Sequence, residues 1–209
     1  QTIRQRRALL SGTLLFDTLL FTGGITDPAS LYPPKDLSAL RRLVAAIQDS
    51  SRFDQIKRDS AIYYLLKWHE TDDRARSFAS SMGVHPQFTA LTDAYWYLDQ
   101  GVHIRKAIAL LSDCRVARDW TSKIMQIISL APHSEASDMI VQYVRTVRPL
   151  LIEAEDIELY LTALAEKSIL DAWRFISTFD DYDMRHRLLQ LILHWSVQRA
   201  YIRCSIYRT

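Results

Sequence analysis

Three carboxylates stand almost side by side at Asp180, Asp181 and Asp183, and such a cluster could hold magnesium against a diphosphate. That chemistry needs acids at the first, second and fifth positions of the motif, so that they converge on one helix face. The fifth position here is Met184. The acids are better explained as a solvated cap for a helix running from Met184 to Trp195, because carboxylates favour the unpaired N–H groups of a first helical turn. The histidines at 69, 85, 103, 133, 186 and 194 form no HExxH pair and have no cysteine at zinc spacing. His186 and His194 have no acid between them to complete a ligand set. Gly23-Gly24 lacks the Lys-Ser/Thr of a phosphate loop, no serine sits in a GxSxG elbow, and neither cysteine has a catalytic signature around it. No catalytic, metal or cofactor-binding residue is assigned. The enzyme-class alternative, an all-α prenyl-diphosphate enzyme, rests on Asp180, Asp181 and Asp183 alone.

Two stretches suit binding. Tyr95, Trp96 and Tyr97 are adjacent aromatics, and neighbours on a helix point about 100° apart. They cannot enter one core together unless the helix is covered on several sides, as an inner helix of a stack would be. The second stretch is Trp195, Arg199, Tyr201, Arg203 and Tyr207, with Arg208 beside them. Arg with Trp and Tyr is the composition of interface anchors, so these five residues are the expected partner-binding positions.

The elements that carry these residues read as helices throughout. The first helix is expected from Arg4 to Phe21 with Gly23-Gly24 as its stop, and the prolines at 28, 33 and 34 make 26–35 a connection. Asp36 then caps a helix bearing Leu37, Leu40, Leu43, Val44 and Ile47. From Asp54 onward apolar residues recur at helical pitch. Ile56, Ala61, Tyr64, Leu65 and Trp68 form one stripe, ending at a polar corner from Glu70 to Asp73. A short helix with Phe78 and Ala79 stops at Gly83. Pro86 opens the next, which Gly101 closes. Further stripes are Ile104/Ala107/Ile108/Leu111, Ile124/Ile127/Ile128/Ala131 and Ile140/Tyr143/Val144/Val147. The last are Ile157/Leu161/Leu164/Ala165, Ile169/Ala172/Trp173/Ile176 and Leu188/Leu191/Ile192/Trp195. No segment alternates with period two. The fold class is therefore all-α, and an irregular α-solenoid of stacked helices is expected, since no strict repeat period is present. Residues 1–35 are expected to pack, as a helix and proline-rich connection, on a main body of 36–209, the whole forming one structural unit.

Composition narrows the function classes. Five Gly and six Pro in 209 residues favour long helices with short joints. With 26 basic and 24 acidic side chains the formal charge is +2, and the interspersed signs do not make the basic face of a dedicated nucleic-acid binder. A helical DNA-binding regulator using Arg4, Arg6 and Arg7 is a second alternative, but 26–35 is too long for a helix-turn-helix turn. No apolar run reaches the roughly 18 residues of a membrane span. Ala8–Phe21 is too interrupted by Asp17 for a signal peptide, and a chain opening at Gln1 is expected to be a piece of a longer protein. The distant Cys114 and Cys204 are expected to be reduced thiols of a cytosolic or nuclear protein.

An ordered set of motifs carries a resemblance. It comprises Tyr63-Tyr64-Leu65-Leu66, Phe78-Ala79, Pro86-Gln87-Phe88, Trp96-Tyr97-Leu98-Asp99-Gln100-Gly101, Ala107–Leu111, Asp119-Trp120 and Tyr143/Arg145/Pro149. Together they resemble the ELYS-like domain of nuclear pore assembly proteins over about residues 54 to 175. Members of the vertebrate type add a β-propeller and a DNA-binding tail, and fungal members look like short versions. The resemblance implies a non-enzymatic scaffold or adaptor domain at the nuclear pore and nuclear envelope. It would dock on the long-arm subunit of the Y-shaped outer-ring complex and serve mRNA and protein transport there. It implies no cofactor and no direct nucleic-acid binding by this domain.

Overall fold

In a computed structural model the described residues are 2–68, 72–113 and 120–206, with no side chain described for 2, 72, 133, 134 and 199–206. The polar corner at Glu70, His69, the Cys114 and Cys204 thiols and Asp119 therefore lie outside the described residues or side chains. Among the described residues there are thirteen helices and no strand. They are α1 (Thr2–Leu9), α2 (Leu15–Thr22), α3 (Pro28–Leu31), α4 (Leu37–Gln48), α5 (Gln55–Leu66), α6 (Asp72–Ser81) and α7 (Pro86–Gln100). These are followed by α8 (Ile104–Leu111), α9 (Thr121–Ser129), α10 (His133–Val147), α11 (Ala154–Lys167), α12 (Ile169–Ile176) and α13 (Tyr182–Ile206). The all-α class holds.

The helix boundaries follow local chemistry at most joints. Asp36 accepts from the Ala39 N–H at 2.7 Å and Asp54 from the Lys57 N–H at 2.8 Å, so each caps the helix that follows it. Pro86 occupies the first turn of α7, and Gly101 ends that helix in the left-handed region at φ +69°. A Cβ at Gly101 would also stand 2.7 Å from the Arg6 guanidinium carbon, so that side chain would have to shift.

One expected element is corrected. The helix read as continuous from Arg4 to Phe21 is two helices, broken between Leu10 and Leu14, with Ser11 and Gly12 both at positive φ. Ser11-Gly12-Thr13 interrupts the apolar run at that point, and Ser-Gly is a turn signal that a reading of apolar periodicity alone passes over. What ends α1 and restarts α2 is a set of side-chain partners distant in sequence, described below.

The chain divides into two compact units, Gln1–Ile127 and Ile128–Thr209. In the first, α7 packs against α1, α2, α5 and α8, which makes it the central helix of that unit. Its core includes Leu10, Leu15, Phe16, Leu20, Leu43, Ile47, Tyr64, Leu98 and Ile108, all nearly or fully inaccessible. In the second, α11 packs against α10, α12 and α13. Ile157, Leu161, Leu164 and Ala165 are buried together there, with Ala172, Ile176 and Leu188 from the neighbouring helices. At roughly 25 cal/mol per Å² of apolar surface removed from water, each such Leu or Ile contributes about 2 kcal/mol.

Candidate functional site

The most elaborate constellation in the first unit is organised by Asp99, at the end of α7. Its carboxylate accepts from the Leu15 N–H at 2.8 Å, the Phe16 N–H at 2.9 Å and the Tyr64 hydroxyl at 2.8 Å. It is 3% exposed. A residue more than eighty positions away thus caps α2, which has no polar N-cap of its own. Burial pushes the Asp99 carboxyl up to about 6, outweighing the three hydrogen bonds, which favour the charged form.

Asp17 completes the joint. It accepts two bonds from Arg7, both 2.7 Å, and one from the Leu14 N–H at 2.8 Å, while Arg7 also donates to the Tyr32 carbonyl at 2.7 Å. The charge that interrupts the apolar run is therefore neutralised by the preceding helix. Around this pair Phe16 stacks on Tyr64 with ring centroids 4.1 Å apart, and the rings continue through Tyr32, Trp68 and Trp96. Burial also holds the Tyr64 hydroxyl well above its ordinary pKa. These acids are spent on backbone, tyrosine and arginine partners. The arrangement is a structural joint.

The same geometry accounts for the N-terminal arginines. Arg7 is held by Asp17, and the Arg6 guanidinium lies buried against Gly101, where burial lowers its pKa. Only Arg4 of the three is fully on the surface. Two of the charges that a DNA-binding reading would need are turned inward.

The aromatic trio on α7 divides by depth. Tyr95 is buried, whereas Trp96 and Tyr97 are half-buried. Lys67, bonded to Asp93 at 2.7 Å, lies over the faces of Trp96 and Tyr97 at 5.3 Å each. The expected cover on several sides is supplied partly by an ion pair. The carboxylates of Asp180, Asp181 and Asp183 are exposed, and Asp181 accepts from the Asp183 N–H at 3.0 Å, a local turn at the start of α13. The described residues contain no group of three metal-ligating side chains.

Of the five expected partner-binding residues, Trp195 is half-buried on α13. Arg199, Tyr201 and Arg203 are carried by the same helix, but their side chains lie outside those described, and Tyr207 lies outside the described residues altogether. The structure instead brings forward surfaces that periodicity did not mark. A groove of about 270 Å³ between α12 and α13 is lined by Ile169, Leu170, Trp173, Ile176 and Ile192. The stripe Ile169/Ala172/Trp173/Ile176 is not a single core face as its spacing suggested. Ala172 and Ile176 are buried, whereas Ile169 is 53% and Trp173 58% exposed. In the first unit a groove of about 400 Å³ is lined by Tyr32, Pro33, Pro34, Leu37, Leu40 and Trp68, among others. No helix among the described residues is long and apolar enough to cross a membrane.

Comparison with known proteins gives the family. The family model for ELYS, described as nuclear pore complex assembly, matches residues 13–205. The chain is also 30% identical over 178 residues to the uncharacterized protein ely5 of Schizosaccharomyces pombe, which covers 84% of this chain and 56% of that protein. The chain thus spans about half the length of that curated relative. With all but the outermost residues matched, this chain belongs to the ELYS nuclear pore complex assembly family.

Proposed function

We propose that this chain is a non-enzymatic scaffold or adaptor domain of a nucleoporin, docking on the Y-shaped outer-ring complex of the nuclear pore through its long-arm subunit. Family membership carries the reading. Two features of the molecule support it. The buried acids and arginines of the first unit are consumed in holding helices together, and large apolar side chains are left on the surface, among them Trp173 and Leu170. The expected irregular α-solenoid and the role in mRNA and protein transport at the nuclear envelope belong to the same proposal. So does the assignment of residues 1–35 as a connection packed on the main body, for which the Asp99 cap of α2 is the supporting contact.

The experiment is direct. Purified chain is mixed at micromolar concentration with purified long-arm subunits of the outer ring and run on a sizing column. A shared, earlier peak is expected. Separate elution at that concentration would overturn the docking reading. Magnesium-dependent binding of a diphosphate, lost in Asp181→Ala, would favour the enzyme reading instead.

A further inference from the structure

α1 is held to the first unit by charge and hydrogen bonds far more than by apolar burial. None of its side chains from Ile3 to Leu9 is buried, and the first that is, Leu10, lies just past its end. Arg7 is bonded to Asp17 and to the Tyr32 carbonyl. Lys123 of α9 donates to the Leu10 carbonyl, and Gln126 to the Ser11 hydroxyl at 2.8 Å. A cation at that end suits the partial negative charge of the last helical carbonyls. With eight residues α1 is too short to hold its helix alone, so the seat imposes the shape.

The fit of α1 to this seat is incomplete. Arg6 Nε and Nη2 are buried without a hydrogen-bond partner among the described residues, a cost that a matched occupant would not carry. The groove of about 400 Å³ adjoins the seat, because Tyr32 lines it and also gives its carbonyl to Arg7. α1 contributes only Ile3 to that lining and leaves the groove open beside Leu37, Leu40 and Trp68. The tether is strained as well: Ser11 sits at φ +55°, a backbone state that a non-glycine residue holds only under constraint. A Cβ added to the next residue, Gly12, would meet nothing within 4 Å, so the turn faces open space. The family match starts at residue 13, so it includes Asp17, Tyr32, Asp99 and Lys123 and leaves α1 out.

We propose that α1 is a stand-in occupant of a docking seat, and that it yields the seat to a longer arginine-bearing amphipathic helix of a partner protein, which also fills the groove beside Ile3. The inference deepens the scaffold reading above by naming one surface and the chemistry of what it receives. α1 itself shows what covers the seat: an arginine against Asp17, a leucine past the last turn and a carbonyl end at Lys123. The charges facing it agree. Asp17 and Asp99 attract Arg7 and Arg6, Lys123 meets the helix end, and Lys35 and Asp36 at the groove offset each other. Nucleic acid and anionic lipid are disfavoured, because their phosphates would meet Asp17 and Asp99. A second copy's α1 is the poorer occupant. It would leave the groove open, and it competes with a tethered arm whose effective concentration is on the order of millimolar. The longer helix overcomes that competition through the apolar contacts of the groove.

The test uses the intact chain and two fluorescein-labelled peptides. One copies residues 2–10; the other adds two N-terminal turns with leucine at helical spacing, to reach the groove. Fluorescence polarisation should show the longer peptide binding at least about tenfold more tightly. Trp68→Ala should remove that advantage and leave the short peptide unaffected. Glutamate in place of the peptide arginine that corresponds to Arg7 should weaken binding at least about tenfold. Hydrogen exchange followed by mass spectrometry supplies the wild-type check. The amides of α1 should exchange at least about a hundredfold faster than those of α7, and excess longer peptide should speed them further by displacing α1. No binding, equal peptide affinities, or no effect of Trp68→Ala or of the glutamate would each overturn the proposal. So would protection of α1 equal to that of α7, or exchange in α1 unchanged by peptide. Arg7→Glu, which repels the arm from Asp17, should tighten binding of both peptides about tenfold; unchanged or weaker binding also overturns it. Melting temperature checks that both variants fold. Leu40→Ala replaces Trp68→Ala should the latter unfold, and the wild-type measurements decide should Arg7→Glu unfold. If the longer peptide displaces α1 while outer-ring subunits elute apart, the seat stands and the outer-ring reading falls. The converse result removes the seat and keeps that reading.

Discussion

Asp99→Asn isolates the most unusual charge in the molecule. The wild-type carboxylate is buried, accepts from Leu15, Phe16 and Tyr64, and titrates near 6 rather than in the usual carboxylate range. Its folded pKa is raised above the unfolded value of about 3.9, so proton uptake favours the fold. The resulting stabilisation is fully present below the unfolded pKa and is lost as pH rises through 6. Between pH 7.5 and pH 5.0 this one group should add about 1.4 kcal/mol to wild-type stability. Asn cannot titrate and adds nothing. The assay is urea unfolding of both proteins at pH 7.5, 6.0 and 5.0, followed by tryptophan fluorescence and far-UV circular dichroism. Subtracting the two curves removes every other titrating group to first order. The deficit of the variant relative to wild type should therefore widen by about 1.4 kcal/mol as pH falls to 5.0. Parallel stability curves, or a deficit that narrows, would show that the carboxyl is not held in a dry site, and the reasoning would fail. Asp99→Ala is a harsher change. It strands three buried donors at about 1 to 3 kcal/mol each, a large share of the stability of a typical domain.

The remaining predictions concern packing and charge. Gly23→Ala puts a Cβ 2.5 Å from the Phe53 ring, and Phe53 is itself buried, so overpacking should cost about 1 to 3 kcal/mol in urea unfolding. Arg7→Ala leaves Asp17 charged and 4% exposed, and should cost about 3 to 5 kcal/mol. Arg145→Ala removes a solvent-exposed pair with Asp171 and should cost less than about 1 kcal/mol by the same measurement. Trp96→Ala, at a half-buried site shared with Trp68 and Lys67, should fall below the about 3 to 5 kcal/mol of a fully buried tryptophan. A melting-temperature series of these four variants checks their order.

The sequence by itself determined the helices and most of their ends. Asp36, Asp54, Pro86 and Gly101 act through bonds to residues within a turn or two, so a linear reading captures them. The motif order from Tyr63 to Pro149 likewise sufficed for the family. Tertiary structure alone decided where a local pattern is degenerate. Ser11-Gly12 marks a turn between Ala8 and Phe21, but not how α2 restarts without a polar N-cap, because its cap is Asp99, brought there by the packing of α7. The stripe Ile169/Ala172/Trp173/Ile176 has the same spacing whether all of it is buried or half of it is, and only the placement of α11 and α13 leaves Trp173 in the open. Helical pitch tells which residues share a face; it does not tell how much of that face a neighbouring helix will cover.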